Sequence, residues 1–256
     1  MKLVYITGAS SGLGQALALH YYHQGWALAL VARRTAEIAS WAQAQGLQPE
    51  RYRIYGADVS DVAAITGAGR QCIAEQGLPE VVIANAGISV GMDSAIPGDI
   101  EVLQRIYATN NIGLAATFQP FITPMNERRR GSLVGIASVA GIRGLPGHAG
   151  YCSSKAAVIS YCESLRGECR PHGVRVLTIA PGYIATPLTA RNRYAMPFLM
   201  QPEDFARRAY ETIEAGVSFR VIPWQMGWVA RLMRLLPNWL FDRLLSGRPR
   251  KHRDGE

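Results

Sequence analysis

Six short apolar runs, at residues 3–6, 27–31, 52–55, 81–84, 133–136 and 174–179, recur along the chain with helix-length segments between them. Each run is almost continuously apolar instead of alternating, as in strands buried on both faces, and strands that alternate with helices build a parallel sheet with crossover helices. The expected fold class is therefore α/β, a doubly wound parallel sheet. No linker, repeat or low-complexity segment interrupts residues 1–186, so a single domain spanning residues 1–256 is expected. After Pro187 the pattern changes to a loop rich in Met and aromatics, a helix near 203–215, a strand at 219–222, and an apolar tail that carries arginines.

The first run leads into Thr7-Gly8-Ala9-Ser10-Ser11-Gly12-Leu13-Gly14, after which residues 15–23 read as a helix. Glycines at a strand-to-helix turn let the backbone approach a pyrophosphate, which then sits on the N–H groups of the helix N-terminus. This is the Rossmann arrangement for a dinucleotide, and it draws in Gly8, Ser10, Ser11, Gly12, Leu13 and Gly14. The second run ends Val31-Ala32-Arg33-Arg34, with no acid to receive a ribose 2′-hydroxyl and two guanidiniums able to hold a 2′-phosphate. NADP is expected over NAD, with Arg33 on the phosphate and Arg34 as an exposed opener of the next helix.

Tyr151-Cys152-Ser153-Ser154-Lys155 sets a phenol and an ammonium four residues apart, on one face of a helix that continues to Cys169. A cation beside a phenol favours the phenolate and brings it closer to acid–base work. The chain holds three lysines against 24 arginines, so the Lys at this position points to a compact ammonium. Thirteen residues upstream the fifth run delivers Ser138 at its carboxyl end, where open α/β sheets bind ligands.

With these residues in view, the sequence resembles the short-chain dehydrogenase/reductase family in its form of about 250 residues. The resemblance covers residues 2 to about 187 and adds Asp58-Val59, Asn85-Ala86-Gly87, Asn110 with Gly113, and Pro181-Gly182 to the motifs above. It implies an oxidoreductase that moves a hydride between NADP and a carbonyl or alcohol. Tyr151 would be the general acid or base, Ser138 would orient the substrate oxygen, Lys155 would lower the Tyr151 pKa and bind ribose, and Asn110 would serve the proton relay. By the same resemblance Asp58 and Val59 meet the adenine, Asn85, Ala86 and Gly87 the nearby ribose, and Pro181, Gly182, Ile184 and Thr186 the nicotinamide end. Asn111, next to Asn110, competes for the relay position, and the Asn-x-x-Gly spacing favours Asn110. A catalytically silent NADP-binding protein, or a membrane-surface protein of the same fold, is the alternative reading.

Other classes find little support. A net charge of +8 rests on scattered Lys and Arg with no basic stripe interleaved with aromatics, so no nucleic-acid partner is expected. The first apolar run stops at Thr7-Gly8, short of a signal-peptide core, and no run approaches the roughly 18 to 20 residues that span a bilayer, so the cytoplasm is the expected compartment. Cys72, Cys152, Cys162 and Cys169 lack metal-site spacing and read as reduced core residues, with Cys152 near enough to the site to be alkylated. No metal is expected. His148 reads as a loop residue beside the site.

Two segments outside the sheet carry further expectations. Residues 187–201 offer Leu188, Tyr194, Met196, Phe198, Leu199 and Met200 as a substrate lid, which suits an apolar ligand, although packing against the following helix would use the same residues. Residues 224–256 read as an amphipathic, basic tail, with residues 224–245 expected as two helices broken at Pro237 that turn Trp228, Leu232, Leu235, Trp239 and Leu244 toward something outside the sheet core. From Trp224 onward seven Lys and Arg stand against three acids. A subunit interface in a homo-oligomer, a cover over the substrate pocket and peripheral membrane contact all fit this tail.

Overall fold

The computed structural model describes residues 1–190, 192, 195–247 and 253. Among these, seven strands form one sheet in the order β3-β2-β1-β4-β5-β6-β7. They are β1 Leu3–Thr7, β2 Ala27–Ala32, β3 Tyr52–Gly56, β4 Val81–Ala84, β5 Gly131–Ile136, β6 Val174–Pro181 and β7 Phe219–Ile222. Every pairing is parallel. The crossover helices are α1 Gly12–His23, α2 Thr35–Ala44, α3 Val62–Gln76, α4 Asp99–Tyr107, α5 Gly113–Arg128, α6 Ala149–Cys169 and α7 Pro202–Glu214, followed by α8 Trp224–Leu235 and α9 Asn238–Leu245. The doubly wound single domain expected from the runs is what forms, and the C-terminal pair breaks at Pro237, which cannot continue a helix.

Two cores sandwich the sheet, and the alternation of a strand explains both. Tyr5 faces one layer with Ile65, Phe118, Phe121 and Leu165, whereas its neighbours Val4 and Ile6 face the other with Leu17, Tyr21, Phe205 and Ile213. Successive side chains of a strand point to opposite faces, so a strand buried on both must be apolar throughout. The four cysteines are free and buried, Cys72, Cys162 and Cys169 within the layer that holds Tyr5.

The chain reverses direction of travel across the sheet at β1, which lies between β2 and β4. Loops after β1 and β4 therefore diverge to opposite faces, opening a crevice at the carboxyl edge of the sheet.

Candidate active site

That crevice is a cleft of about 710 Å³. At its head the glycine turn is held in a form that only glycine takes readily, with φ of +71° at Gly8 and +56° at Gly12. A Cβ at Gly14 would lie 2.1 Å from the Gly8 carbonyl oxygen, so its glycine serves the close approach of α1 to the turn. Thr7 Oγ1 accepts the amides of Asn85 at 3.1 Å and Ala86 at 3.2 Å, while Asn85 Nδ2 donates to Thr7 O at 2.9 Å, which ties the loop after β4 to the turn after β1. No side chain caps α1 and no acid stands in its first turn, so its N-terminal amides and the positive end of its dipole suit an anion.

Both arginines after β2 line the cleft. Arg33 Nη1 lies 3.2 Å from Asp58 Oδ2, and Arg34 Nη2 donates to Ser10 Oγ at 3.1 Å while its guanidinium pairs with Glu37 at 3.2 Å. Arg34 thus does more than open α2: it braces the glycine turn. Burial pushes the Asp58 carboxyl up, but hydrogen bonds from the Ser60 amide and hydroxyl and the Arg33 guanidinium hold it below the usual carboxylate range. Asp58 is therefore an anion at neutral pH.

At the other end, Ser138 follows β5 and is buried, its Oγ accepting the Ala140 amide at 3.2 Å. It hydrogen-bonds Tyr151, which stands on the first turn of α6. Lys155, one turn later and buried, places Nζ 5.9 Å from the Tyr151 ring centre and donates to Ile136 O at 2.9 Å. Burial lowers the Lys155 pKa to about 8. The Tyr151 pKa moves the opposite way to expectation: burial raises it to about 12, with the Ser138 hydrogen bond pulling it down. The reason is geometric, since the lysine points its ammonium at a main-chain carbonyl and the loss of water around the phenol dominates.

Asn110 lies in a π-helical turn, Ala108–Ile112, that joins α4 to α5. Its Oδ1 accepts the Ile88 amide at 2.8 Å and its Nδ2 donates to Ile88 O at 3.0 Å and to Ser154 Oγ at 2.9 Å. Asn111 reaches only the Ser154 carbonyl, at 2.8 Å. A Cβ added to Gly87 would lie 3.2 Å from Asn110 Oδ1 and 3.3 Å from Lys155 Nζ, so these groups share one small space.

Of the residues expected at the site, Gly14 and Asn110 do not line the cleft, and all the others do. Arg34, Ser60, Ile88, Val90, Arg105 and Thr109 also line it. Arg105 and Thr109 carried a signal, being four residues apart and so on one helical face, but the π turn disguised where that face points. Among the lid residues Leu188 lines the cleft, Leu188, Phe198 and Leu199 are exposed, and Met200 packs on the core and bridges to Ile184. Tyr194 lies outside the described residues.

The profile of the short chain dehydrogenase family matches residues 2–196. An uncharacterized oxidoreductase of Myxococcus xanthus is 40% identical over 244 residues, covering 94% of this chain and 95% of its own. The 3-ketodihydrosphingosine reductase of Bacteroides thetaiotaomicron is 31% identical over 205 residues, 80% of this chain and 72% of its own. The closed form of serine dehydrogenase complexed with NADP+ shares the fold with a TM-score of 0.76 at 25% identity, covering 86% of this chain and 94% of that one.

Proposed function

The chain belongs to the short-chain dehydrogenase/reductase family, and from that membership we propose that it is an NADP(H)-dependent oxidoreductase that interconverts an apolar carbonyl compound and its alcohol. The observation that carries the reading is the convergence, in one cleft, of the uncapped α1 N-terminus at one end and Ser138, Tyr151 and Lys155 at the other.

The residues fit a dinucleotide phosphate. Gly8 and Gly12 clear the space that side chains would fill, α1 offers N–H groups, and Arg33 brings a guanidinium with five N–H donors to the adenosine end, where a 2′-phosphate would sit. Arg34 adds a second positive charge. A related structure that holds NADP+ supports this choice. When bound, NADP(H) supplies or accepts the hydride.

The protein's own part is proton transfer and positioning. A Tyr151 pKa of about 12 keeps the phenol protonated at neutral pH, so it is set to donate its proton to a carbonyl oxygen during reduction. Ser138 donates a hydrogen bond to the same oxygen. Lys155, charged below about pH 8 and held by Ile136 O 5.9 Å from the Tyr151 ring centre, puts a positive charge near the reacting end and would donate to the cofactor ribose. Asn110 fixes Ile88 and Ser154, the chain neighbours of Gly87 and Lys155, and keeps an acceptor lone pair for the proton relay. Ile88, Val90 and Leu188 give the cleft apolar wall, and a relative named as a keto reductase supports a ketone as the acceptor.

The test is NADPH oxidation followed optically across a panel of carbonyl compounds, with Tyr151→Phe as control. Long-chain or apolar ketones should lead the panel, and Tyr151→Phe should lower kcat by roughly a hundred- to ten-thousandfold, the usual share of an acid–base group, while NADPH binding by fluorescence titration stays unchanged. Full turnover in Tyr151→Phe overturns the mechanism; small polyols as the best substrates overturn the apolar pocket.

A further inference from the structure

α8 is built inside out on one side. Met226 and Ala230 form its buried stripe, against β7 and the loop after β6, yet the opposite stripe is also apolar. Trp224, Trp228, Leu232 and Leu235 recur there at three and four residues, and each is more than half exposed, Leu235 by 81%. α9 repeats the pattern: Phe241 is buried, while Trp239 is 68% and Leu244 51% exposed. Three of the chain's five tryptophans thus stand on the surface of a segment of 22 residues.

Charge says what covers this face. Arg231, Arg234 and Arg243 are exposed among these side chains, with Asp242 as the sole acid of the two helices, and the Arg231 guanidinium lies 5.4 Å from the Trp228 ring centre. A two-fold contact with a second copy sets the same patch against itself and so brings six arginines and only two aspartates into one interface. Nor does the stripe close the cleft, since no described residue beyond Thr189 lines it. Tryptophan with arginine on an amphipathic helix suits a bilayer interface, where the indole sits among headgroups and the guanidinium meets lipid phosphate.

We propose that α8 and α9 dock this protein on an anionic lipid bilayer. The pair is tied to the domain by one arginine and by close packing. Arg143, five residues after Ser138, donates to the carbonyls of Met233 and Leu236 and, at 3.0 Å, to Asn238 Oδ1, and its guanidinium stacks 3.8 Å from the Phe241 ring. A Cβ on Gly182 would come within 2.8 Å of Met226 Cγ. The helix pair is therefore fastened to the loops after β5 and β6, both of which wall the cleft, so docking holds the cleft beside the membrane. Lipid-dissolved substrates would reach it without crossing bulk water.

The test uses the full chain and needs no turnover, so its outcome is independent of the enzymatic reading. Co-sedimentation is measured with phosphatidylcholine vesicles and with equal mixtures of phosphatidylcholine and phosphatidylglycerol, while tryptophan emission is recorded on the same samples. Partitioning onto the anionic vesicles should exceed that onto neutral ones on the order of a hundredfold, three surface arginines each adding several-fold, and should fall with salt. Emission should shift to the blue. The double variant Trp228→Ser/Trp239→Ser and the triple Arg231→Glu/Arg234→Glu/Arg243→Glu should each abolish binding at unchanged melting temperature, as expected of exposed positions. Protein that stays in the supernatant at low salt, binds both vesicles equally, or binds despite either set of substitutions overturns the proposal. Loss of an oligomer in the tryptophan variant, with no vesicle binding by the parent, assigns the face to a second copy instead.

Discussion

Replacing Lys155 by Met should change how stability depends on pH. The lysine is buried and its pKa falls from 10.5 to about 8 because the ammonium loses water. A folded pKa below the unfolded one means that the unfolded chain holds the proton more tightly, so the charge opposes folding fully below pH 8 and progressively less as the pH climbs toward 10.5. The gap of about 2.5 pH units, at about 1.4 kcal/mol each, is worth about 3 kcal/mol at neutral pH. Met lacks this penalty but also lacks the hydrogen bond to Ile136 O, a loss of about 1 to 3 kcal/mol that does not vary with pH. The two proteins should therefore differ little at pH 7, whereas between pH 7 and 10 the wild type should gain about 2 to 3 kcal/mol on the variant. At about 2 to 4 °C per kcal/mol for a chain of this size, the melting temperatures should diverge by about 5 to 10 °C. Thermal melts of both proteins at each pH provide the comparison, and the remaining titrating groups cancel because both share them. Parallel curves would refute the reasoning, since they would mean that Lys155 carries its charge at no cost.

Arg33→Ala should lower the ratio of kcat/KM for NADPH over NADH by roughly ten- to a hundredfold, the worth of a charge-assisted hydrogen bond; comparable efficiencies with the two cofactors in the unmodified protein would show that Arg33 does not select. Gly14→Ala drives a Cβ to 2.1 Å from the backbone oxygen of Gly8, where nothing can swing aside, so the variant should lose NADPH binding together with several degrees of melting temperature, and retention of both would contradict the packing account. Ser138→Ala removes the hydrogen bond that pulls the Tyr151 pKa down against burial, so the alkaline rise of alcohol oxidation should move to higher pH; an unmoved profile in an active variant would mean that Ser138 does not set the Tyr151 pKa.

The five inner strands were legible because burial on both faces leaves an almost continuous apolar run, and the half-exposed edge strands β3 and β7 fall at the run 52–55 and at the strand expected over 219–222. The glycine turn and Tyr151 with Lys155 were legible for a different reason: each is a local motif whose geometry is fixed by spacing along one element. What sequence could not give was direction in space. Spacing places Lys155 beside Tyr151 but does not say that its ammonium turns to Ile136 O, so the sign of the Tyr151 pKa shift was misread. Arg34 was similarly undervalued, because its partner Ser10 lies 24 residues away. The periodicity from Trp224 to Leu245 predicts the two helices, yet only the burial of Met226, Ala230 and Phe241 shows which apolar stripe packs on the domain and which is left uncovered among the described residues.

The π turn at Ala108–Ile112 makes the rod from Asp99 to Arg128 behave as two helices with separate clocks. A turn that takes one extra residue sets everything after it back by about 100° relative to a continuous α-helix. α4 can then aim Val102 and Ile106 at the small cluster around Met92 and α6, while α5 aims Phe118, Phe121 and Met125 into the layer beneath the sheet. Without that offset, one of the two sets would face water whenever the other was buried. The residue gained in the turn thus reconciles two hydrophobic registers that no single helical period can satisfy, and Asn110 sits at the point of exchange, where its amide can leave the helix and hold the loop at Ile88.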